Sequence, residues 1–378
     1  GRPGGARQPG RPRTVIRPGA SELGPKGKCF RASKGDSNMP VMRQNPYLLV
    51  GLASVLLLGC ASTPEPREEP LDADPPIAVA SGKAKGNPAL DRGIAFIKAG
   101  KFAEAMEQLK AALEADPERA EGSFYMALAL EQTGGDRAEA ERLYKQALVL
   151  DGTLVEAAGN LAALYLEEPP RLDEAVAVLQ KGLKVDPENA NLNASLGYAL
   201  GRKGDADGAS KAYELAIKKD PKPELSFAYG VMLAENKRAE QAGPHLLAAS
   251  KAYQDDVATL ATIARLLGPG KAYADCVRLL DRAIDLKPGH AELLVRRGVC
   301  KHELKKEKEA SADFEAAIKA DAKFQPAHYY LGLSLLEQGN GVRGKQSLKK
   351  AIELGKDTPI GKLAQEKLDA TKPGAKKK

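Results

Sequence analysis

Side chains suited to metal binding or acid–base catalysis are few and scattered in this sequence. The four histidines are His245, His290, His302 and His328. Only Cys300 lies near one of them, and no second Cys or His pair with metal-ligand spacing accompanies it. Neither a Gly-x-Ser-x-Gly turn nor a His-Glu-x-x-His helix is present. We therefore predict no catalytic residues, no metal site and no cofactor, in a protein that is not an enzyme.

Residues 339–345 read Gly-x-x-x-x-Gly-Lys, which is close to the sequence motif of a phosphate-binding loop. The next residue is Gln346, where Ser or Thr would be needed to coordinate Mg²⁺, and no strand pattern precedes the segment. We interpret the segment as a connection between two helices.

Lipid attachment is the chemistry that the N-terminal part indicates. Arg43 precedes an apolar run over residues 47–58, which is shorter than the roughly 20 residues that span a bilayer. This order is typical of a signal peptide. The run ends in Leu-Leu-Gly-Cys, which resembles the lipobox of bacterial lipoproteins. The resemblance implies cleavage between Gly59 and Cys60 and a lipid, with palmitate among its acyl chains, on Cys60. In the family pattern, a residue such as Ala61 directly after the cysteine implies that the lipoprotein is sorted to the outer membrane.

The segments around this motif differ sharply in charge. Residues 1–38 are either a disordered basic tail or an upstream stretch before the true start, and 39–59 are the predicted signal peptide. Residues 1–59 hold ten Lys or Arg and two acids, net +8, whereas 60–378 hold 47 and 48, net −1. The body therefore offers no general attraction for nucleic acid. Residues 60–85, rich in Pro and acids, are predicted to be an extended tether.

From residue 86 the sequence repeats at intervals of 33 to 35 residues. A small residue recurs at Ala105, Ala140, Ala175, Ala209, Ala242, Cys276, Ala310 and Gly344. Four residues later comes a large one: Leu109, Tyr144, Leu179, Tyr213, Leu246, Leu280, Phe314 and Leu348. Seven residues later comes a second small one: Ala112, Ala147, Gly182, Ala216, Ala249, Ala283, Ala317 and Ala351. These spacings predict one face of a helix.

A preceding helix is predicted from another small-residue series about twelve positions earlier. Its members are Gly93, Leu128, Ala162, Gly197, Gly230, Ala264, Gly298 and Gly332. Prolines at 117, 187, 221 and 288 punctuate the unit ends. These recurring breaks argue against a continuous coiled coil.

The pattern resembles the tetratricopeptide repeat family over residues 86–358. The resemblance implies an all-α solenoid of about eight helical hairpins in a right-handed superhelix. The units are 86–119, 121–154, 155–189, 190–222, 223–256, 257–290, 291–324 and 325–358. Residues 359–371 are predicted to be a capping helix and 372–378 a basic tail. Departures are the missing Trp, Leu128 at a small site, Gly152 in place of Pro, Lys301 at a bulky site and an extra residue near 169–170.

Cys276 and Cys300 would lie on helices of neighbouring hairpins. In an oxidising compartment they could form a disulfide, which needs Cα atoms roughly 4.4–6.8 Å apart. The alternative is two small hydrophobic side chains that fill buried sites.

Stacked hairpins line a concave groove with their first helices, where the resemblance implies that other proteins or peptides bind. Aromatic and Arg side chains, which are common at interaction hot spots, are predicted there. The predicted outward positions are Tyr125, Asn160, Tyr198, Arg202, Phe227, Arg265, Arg296, His302, Tyr329 and Tyr330.

Two hypotheses of function follow. The first is a lipid-anchored scaffold or assembly factor on the periplasmic side of the outer membrane, similar to repeat lipoproteins that help to build secretins, pili, gliding machinery or outer-membrane barrels. The second is a soluble cytoplasmic co-chaperone or regulator without a lipid. Both bind proteins, and the sequence names neither the partner nor the oligomeric state.

Overall fold

The computed structural model describes residues 86–167 and 169–371. The predicted segments 1–38, 39–59 and 60–85, with Cys60, and the tail 372–378 lie outside the described residues. All of the described residues belong to one unit of the chain.

This part of the chain consists of helices, with no strand among the described residues. They are α1 Pro88–Lys98, α2 Phe102–Ala115, α3 Ala120–Thr133, α4 Arg137–Leu150, α5 Val155–Leu166, α6 Leu172–Val185, α7 Ala190–Arg202, α8 Ala206–Lys219, α9 Pro223–Glu235, α10 Ala239–Ser250, α11 Val257–Leu267, α12 Tyr273–Leu286, α13 Ala291–Glu303, α14 Glu307–Ala320, α15 Gln325–Glu337, α16 Gly341–Leu354 and α17 Pro359–Ala370. Each odd-numbered helix from α1 to α15 forms a hairpin with the even-numbered helix that follows it. The predicted all-α repeat superhelix is confirmed.

Polar caps start several of these helices. The Asn87 side chain accepts hydrogen bonds from two backbone N–H groups of the first turn of α1 at 3.1 Å. Asp136 and Asp256 cap α4 and α11 in the same way, and Asp205 caps α8 by accepting from one N–H group, that of Gly208. These side chains supply acceptors to N–H groups that have no partner within the helix, and so they fix where each helix begins.

In seven of the eight hairpins, the described residues of the turn include one in the left-handed region. Glycines hold this position in several hairpins, at positive φ: Gly100, Gly134, Gly204 and Gly339. In the fifth, sixth and seventh hairpins a lysine takes it, with φ of 62° at Lys237, 58° at Lys271 and 62° at Lys305. A residue with a β-carbon is disfavoured there by roughly 1–2 kcal/mol, so the packing of the two flanking helices must stabilise these turns.

The core consists of the residues that recur in the sequence. Every member of the two small series on the second helices is buried, and so is the large residue between them. The first-helix glycines lie directly against that large residue: a β-carbon added to Gly298 would lie 2.5 Å from Cε1 of Phe314. The glycine of the first helix therefore leaves the space in which the large side chain of the second helix packs.

In the second hairpin the small position is filled by Ala127 and not by Leu128. Ala127 packs in the same cluster as Ala140 and Tyr144 of α4, whereas Leu128 belongs to the cluster of the first hairpin, which contains Leu109. The reason is an extra residue in the turn between the helices, which contains both Gly134 and Gly135. The departure that the sequence showed at Leu128 is thus a one-residue shift of register.

Charged side chains connect neighbouring hairpins at the N-terminal ends of their second helices. Arg171 binds Glu141 of the hairpin before it at 2.5 Å, and Arg238 binds Asp207 at 2.7 Å. Lys203 pairs with Asp173 at the equivalent place. Each pair spans 30 or 31 residues in sequence, so these ion pairs recur once per hairpin over three consecutive interfaces.

A disulfide joins the sixth and seventh hairpins. Cys276 on α12 and Cys300 on α13 are bonded, with their Cα atoms 6.4 Å apart. Both residues are buried, Cys276 at the small position of its helix. The distance meets the geometric condition set by the sequence analysis.

Helix α17 packs on the last hairpin. It contacts both α15 and α16, and Ala364 is fully buried at this contact, in a cluster with Leu348 and Ala351. Thr358 caps the helix through its hydroxyl oxygen, which accepts from the Gly361 N–H at 3.0 Å. No helix in residues 86–167 and 169–371 is both long enough and apolar enough to cross a bilayer.

Candidate partner-binding groove

Several of the first helices contact the first helix of the next hairpin. Beyond their contacts within hairpins, α1 contacts α3, α5 contacts α7, α7 contacts α9 and α13 contacts α15. The second helices contact mainly the first helix of the next hairpin. A layer whose members lie closer together is the inner side of a curved stack, so the first helices line the groove.

An open cleft of about 350 Å³ lies on this face between α11 and α13. Its charged lining consists of Arg265, Lys287 and Arg296, with His290 and one acid, Glu292. Arg296 is paired with that acid at 2.5 Å. Arg265 is exposed and forms no ion pair with the described residues. The cleft therefore has an excess of positive charge available to an incoming group.

The positive face extends to α7. Arg202 donates a hydrogen bond to the Tyr198 hydroxyl at 2.8 Å, and its guanidinium carbon lies 5.7 Å from the centre of the Tyr198 ring. On α9, desolvation raises the pKa of Glu235, and the nearby guanidinium groups of Arg202 and Arg265 act in the opposite direction. The successive first helices α7, α9 and α11 thus carry Arg202, Glu235 and Arg265, so a negative charge lies between two positive ones.

Two predicted groove residues are not outward facing. Phe227 is 5% exposed and Tyr329 is 7% exposed. The Phe227 ring packs edge-on against Tyr253, with centroids 6.1 Å apart, and Tyr329 packs similarly on Tyr330 at 5.1 Å. The prediction of open positions is wrong here because Tyr253 of a neighbouring turn covers Phe227, and because Tyr329 packs in a cluster with Leu348 of α16 and Ala364 of α17.

Three further predicted residues have partners within the fold. Asn160 donates to the Tyr144 hydroxyl at 3.2 Å. Tyr125 is half-buried against Phe124, and burial raises the pKa of its hydroxyl. Tyr330 stacks on Phe314. Of the predicted set, Arg265 and Arg296 line one cleft and Tyr198 and Arg202 are accessible on α7, whereas His302 is largely covered.

A buried charge cluster in the seventh hairpin is absent from the predicted set. Asp313 is 4% exposed and binds Arg297 through two hydrogen bonds, at 2.6 and 2.9 Å, and Lys301 at 2.9 Å. Arg297 also binds Asp281 of the sixth hairpin at 2.8 Å. Hydrogen bonding to Asp313 raises the pKa of Arg297. The signal in the sequence was Lys301 at a bulky site, which the carboxylate of Asp313 explains.

A second polar cluster joins the seventh and eighth hairpins. The Nδ1 atom of His302 lies 2.8 Å from Glu307 and 3.7 Å from Glu337. Ser334 donates to Glu307 at 2.8 Å, and the Gln338 amide donates to Ser311 at 2.6 Å. Desolvation raises the pKa of Glu307, but its hydrogen bonds with His302 and Ser334 prevail, so the pKa is lowered. Periodicity could not reveal this cluster because its members come from three helices.

Comparison with known proteins gives one family. Models described as the tetratricopeptide repeat match residues 90–153, 162–222 and 195–257, and a further model of that description matches 291–324. No curated protein matches the chain.

Several solved structures are similar to the chain. One is YrrB, described as a TPR protein with an unusual peptide-binding site, with 20% identity, 59% of this chain and 97% of YrrB covered, and a TM-score of 0.36. Another is a tetratricopeptide repeat protein from Parabacteroides merdae ATCC 43184, with 16% identity and a TM-score of 0.37; the match covers 74% of this chain and 96% of that protein. A third is pilF of Pseudomonas aeruginosa, with 17% identity and a TM-score of 0.39; the match covers 56% of this chain and 97% of pilF.

Proposed function

The chain belongs to the tetratricopeptide repeat family, whose members mediate protein–protein interactions, and on that premise we propose that it is a scaffold or assembly factor which binds peptide segments in its first-helix groove. The observation that carries the proposal is the open cleft between α11 and α13, next to the exposed, unpaired Arg265. The proposal includes no catalytic role and no binding of nucleic acid.

The partner that fits this cleft is a segment carrying carboxylates. Arg265, Lys287 and Arg296 line the cleft against one acid, Glu292, so an acidic side chain would meet net positive charge. A guanidinium group binds a carboxylate through paired hydrogen bonds in a fixed geometry, which gives direction as well as attraction. Leu293 and Val257 at the same cleft supply apolar contact for the rest of the segment.

Photo-crosslinking tests where the partner binds. A photoreactive amino acid would replace Thr262 in the cleft and, as the control, Val149 on α4, which is 79% exposed and outside the groove face. The proposal expects crosslinked partner at position 262 and little at 149. Equal crosslinking at both positions would reject the groove as the binding surface.

Substitution of the arginines tests the chemistry. Arg265→Ala with Arg296→Ala should weaken the binding of a labelled acidic peptide by roughly tenfold or more, because each lost charge-assisted hydrogen bond costs about 1.5–3 kcal/mol. Arg142→Ala on α4, an exposed arginine paired with Glu139, is the control and should leave binding unchanged. If a peptide with Gln and Asn in place of its acids bound as well, the proposed partner chemistry would be wrong.

For its location, we propose a lipid anchor on Cys60 that holds the array on the periplasmic side of a bacterial outer membrane. The support is the order of Arg43, the apolar run 47–58 and the Gly59–Cys60 pair. A disulfide between Cys276 and Cys300 is compatible with an oxidising compartment. Such a position suits a subunit that helps to assemble secretins, pili, gliding machinery or outer-membrane proteins.

Metabolic labelling with a fatty-acid probe tests the anchor. We expect label on the wild-type protein and on Ser62→Ala, a control substitution two residues after the predicted lipid site, but none on Cys60→Ala. An unlabelled wild type, or equal label on Cys60→Ala, would instead favour a soluble cytoplasmic co-chaperone or regulator.

A further inference from the structure

Three elements bring an imidazole and two carboxylates to one point. His302 lies in the last turn of α13, Glu307 is the first residue of α14 and Glu337 is the last residue of α15. Their ligand atoms all lie within 4.8 Å of one another. The sequence predicted no metal site because it showed no second Cys or His pair, whereas the fold supplies Glu337, which is 35 residues from His302.

The charge of this cluster is not compensated by the surrounding protein. Among the described ion pairs, the carboxylates of Glu307 and Glu337 pair only with His302, and no lysine or arginine reaches either of them. Lys305, Lys306 and Lys308 lie around an open cleft beside Glu307, and Lys306 pairs with Glu309 instead. Two carboxylates at such close range repel each other unless a proton or a cation lies between them.

Glu307 also has an acceptor without a donor. Its Oε2 atom lies within hydrogen-bond distance of His302 and accepts from the Ser334 hydroxyl. Its Oε1 atom is shielded from solvent and has no hydrogen-bond partner. A buried carboxylate oxygen without a partner is unfavourable, and a cation held by both oxygens of this carboxylate would satisfy it. This is a second observation, independent of the proximity of the three side chains.

We propose that His302, Glu307 and Glu337 bind a divalent transition-metal ion of the Zn²⁺ class. One imidazole nitrogen with carboxylate oxygens is a donor set that suits Zn²⁺, whereas Ca²⁺ and Mg²⁺ prefer oxygen alone. In tetrahedral coordination at about 2.0–2.2 Å the ligand atoms lie roughly 3.3 Å apart. The distances of 2.8 and 3.7 Å from His302 to the two acids fall on either side of that value.

Binding requires a particular form of the histidine. Nδ1 faces both carboxylates, so this nitrogen must give up its proton and coordinate through its lone pair, while Nε2 carries the proton of the neutral ring. Three protein ligands leave one position for water or for a side chain of a bound partner. The ion would join α13, α14 and α15, and so connect the seventh and eighth hairpins.

Titration of the full-length protein with Zn²⁺ tests the proposal. A protein without a polyhistidine tag, first stripped of metal with a chelator, should bind one Zn²⁺ that Mg²⁺ and Ca²⁺ do not displace. His302→Asn and Glu337→Gln should each weaken binding by at least about tenfold, because loss of even an outer-shell partner of a metal ligand costs about 10–100-fold. His245→Asn and Glu303→Gln, which remove a histidine elsewhere and the acid next to His302, are the matched controls and should bind as the wild type does.

Substitution with Co²⁺ excludes the cysteines as ligands. The site should give the visible spectrum of four-coordinate cobalt without the intense near-ultraviolet band of thiolate ligation. Circular dichroism would establish that the variants are folded. A wild type that binds no Zn²⁺, a thiolate band, or unchanged affinity in both His302→Asn and Glu337→Gln would each overturn the proposal.

Discussion

At the scale of single residues, Gly298 shows how little space separates the two helices of a hairpin. A β-carbon there would lie 2.5–2.9 Å from three atoms of the Phe314 ring, which is itself buried. The ring cannot move away without displacing its neighbours in the core. The constraint is therefore steric and specific to this contact.

We predict that Gly298→Ala lowers the free energy of unfolding by about 1–3 kcal/mol, the usual effect of overpacking. Gly341→Ala is the control: it starts α16, and a β-carbon there would meet nothing within 4 Å. Chemical denaturation measures both variants. Equal stability of the two would contradict the close approach.

Asp313 is the residue with the largest predicted electrostatic effect. Asp313→Ala would leave Arg297 and Lys301 largely buried without their shared carboxylate. Loss of one partner of a buried pair costs about 3–5 kcal/mol. Asp281→Ala, which removes the half-exposed partner of Arg297, should cost less than about 1 kcal/mol. Urea unfolding of the two variants would show the difference, and a cost at Asp313 no larger than at Asp281 would disprove it.

Glu141 gives a prediction about pH. A hydrogen bond from Arg171 is the main cause that lowers its pKa from 4.5 to about 2, with burial acting in the opposite direction and Lys145 adding to the decrease. A lowered pKa in the folded state means that the ion pair stabilises the fold above about pH 4.5, and that this contribution is lost as the pH falls towards 2.

We therefore expect Glu141→Gln to destabilise the protein on the order of 2 kcal/mol near neutral pH, after allowance for solvent screening of the exposed part of Arg171. The difference from the wild type should vanish towards pH 2. Glu139→Gln, whose exposed carboxylate pairs with Arg142, should have an effect below about 0.5 kcal/mol. Unfolding curves between pH 2 and pH 7 measure this, and a constant difference across that range would refute the assignment.

The sequence largely predicts which residues are buried, but it does not predict which residues they contact. The small and large series specify one face of each helix, and the structure buries all of their second-helix members. Periodicity does not specify what lies opposite that face. For this reason periodicity predicts open positions for Phe227 and Tyr329, which are buried, and gives no sign of Asp313 and Glu337, whose partners are on other helices.

At the scale of helices and hairpins, turns produce the main differences from the predicted pattern. The extra residue at Gly134 and Gly135 moves the small position to Ala127, which a fixed spacing of twelve cannot show. The lysines at 237, 271 and 305 hold a left-handed conformation that sequence alone assigns to glycine. Helix positions follow from repetition, whereas the turn between two helices depends on how those helices pack.

The disulfide is the strongest connection between two hairpins. In the chain-entropy account, a cross-link over a separation of 24 residues stabilises the fold by about 3 kcal/mol. We predict that reduction lowers the midpoint of thermal unfolding of the wild type. Cys276→Ala with Cys300→Ala should show a low midpoint under both conditions. A wild type whose midpoint did not respond to a reductant would show that the bridge contributes nothing.

At the scale of the whole array, the end of the stack depends on α17. Ala364 and its neighbours cover the face of the last hairpin that contains Leu348 and Ala351. Each hairpin is stabilised mainly by its neighbours, so an uncovered terminal hairpin loses one of its two interfaces.

We predict that removal of residues 359–378 increases hydrogen exchange in α15 and α16 and promotes aggregation, whereas removal of 372–378 alone changes neither. Exchange mass spectrometry and light scattering measure these effects. Protection of α16 that survived removal of α17 would show that the helix is not a cap.

The bond between Cys276 and Cys300 also determines how the array responds to tension. If a force is applied to the two ends of the array, each hairpin that unfolds makes the array longer. Unfolding of the segment from 276 to 300 adds no length, because its ends stay covalently joined at a Cα separation of 6.4 Å. The stretch from Cys276 on α12 to Cys300 on α13 therefore has a fixed length while the rest of the array can extend, and reduction of the disulfide would allow this stretch to lengthen as well.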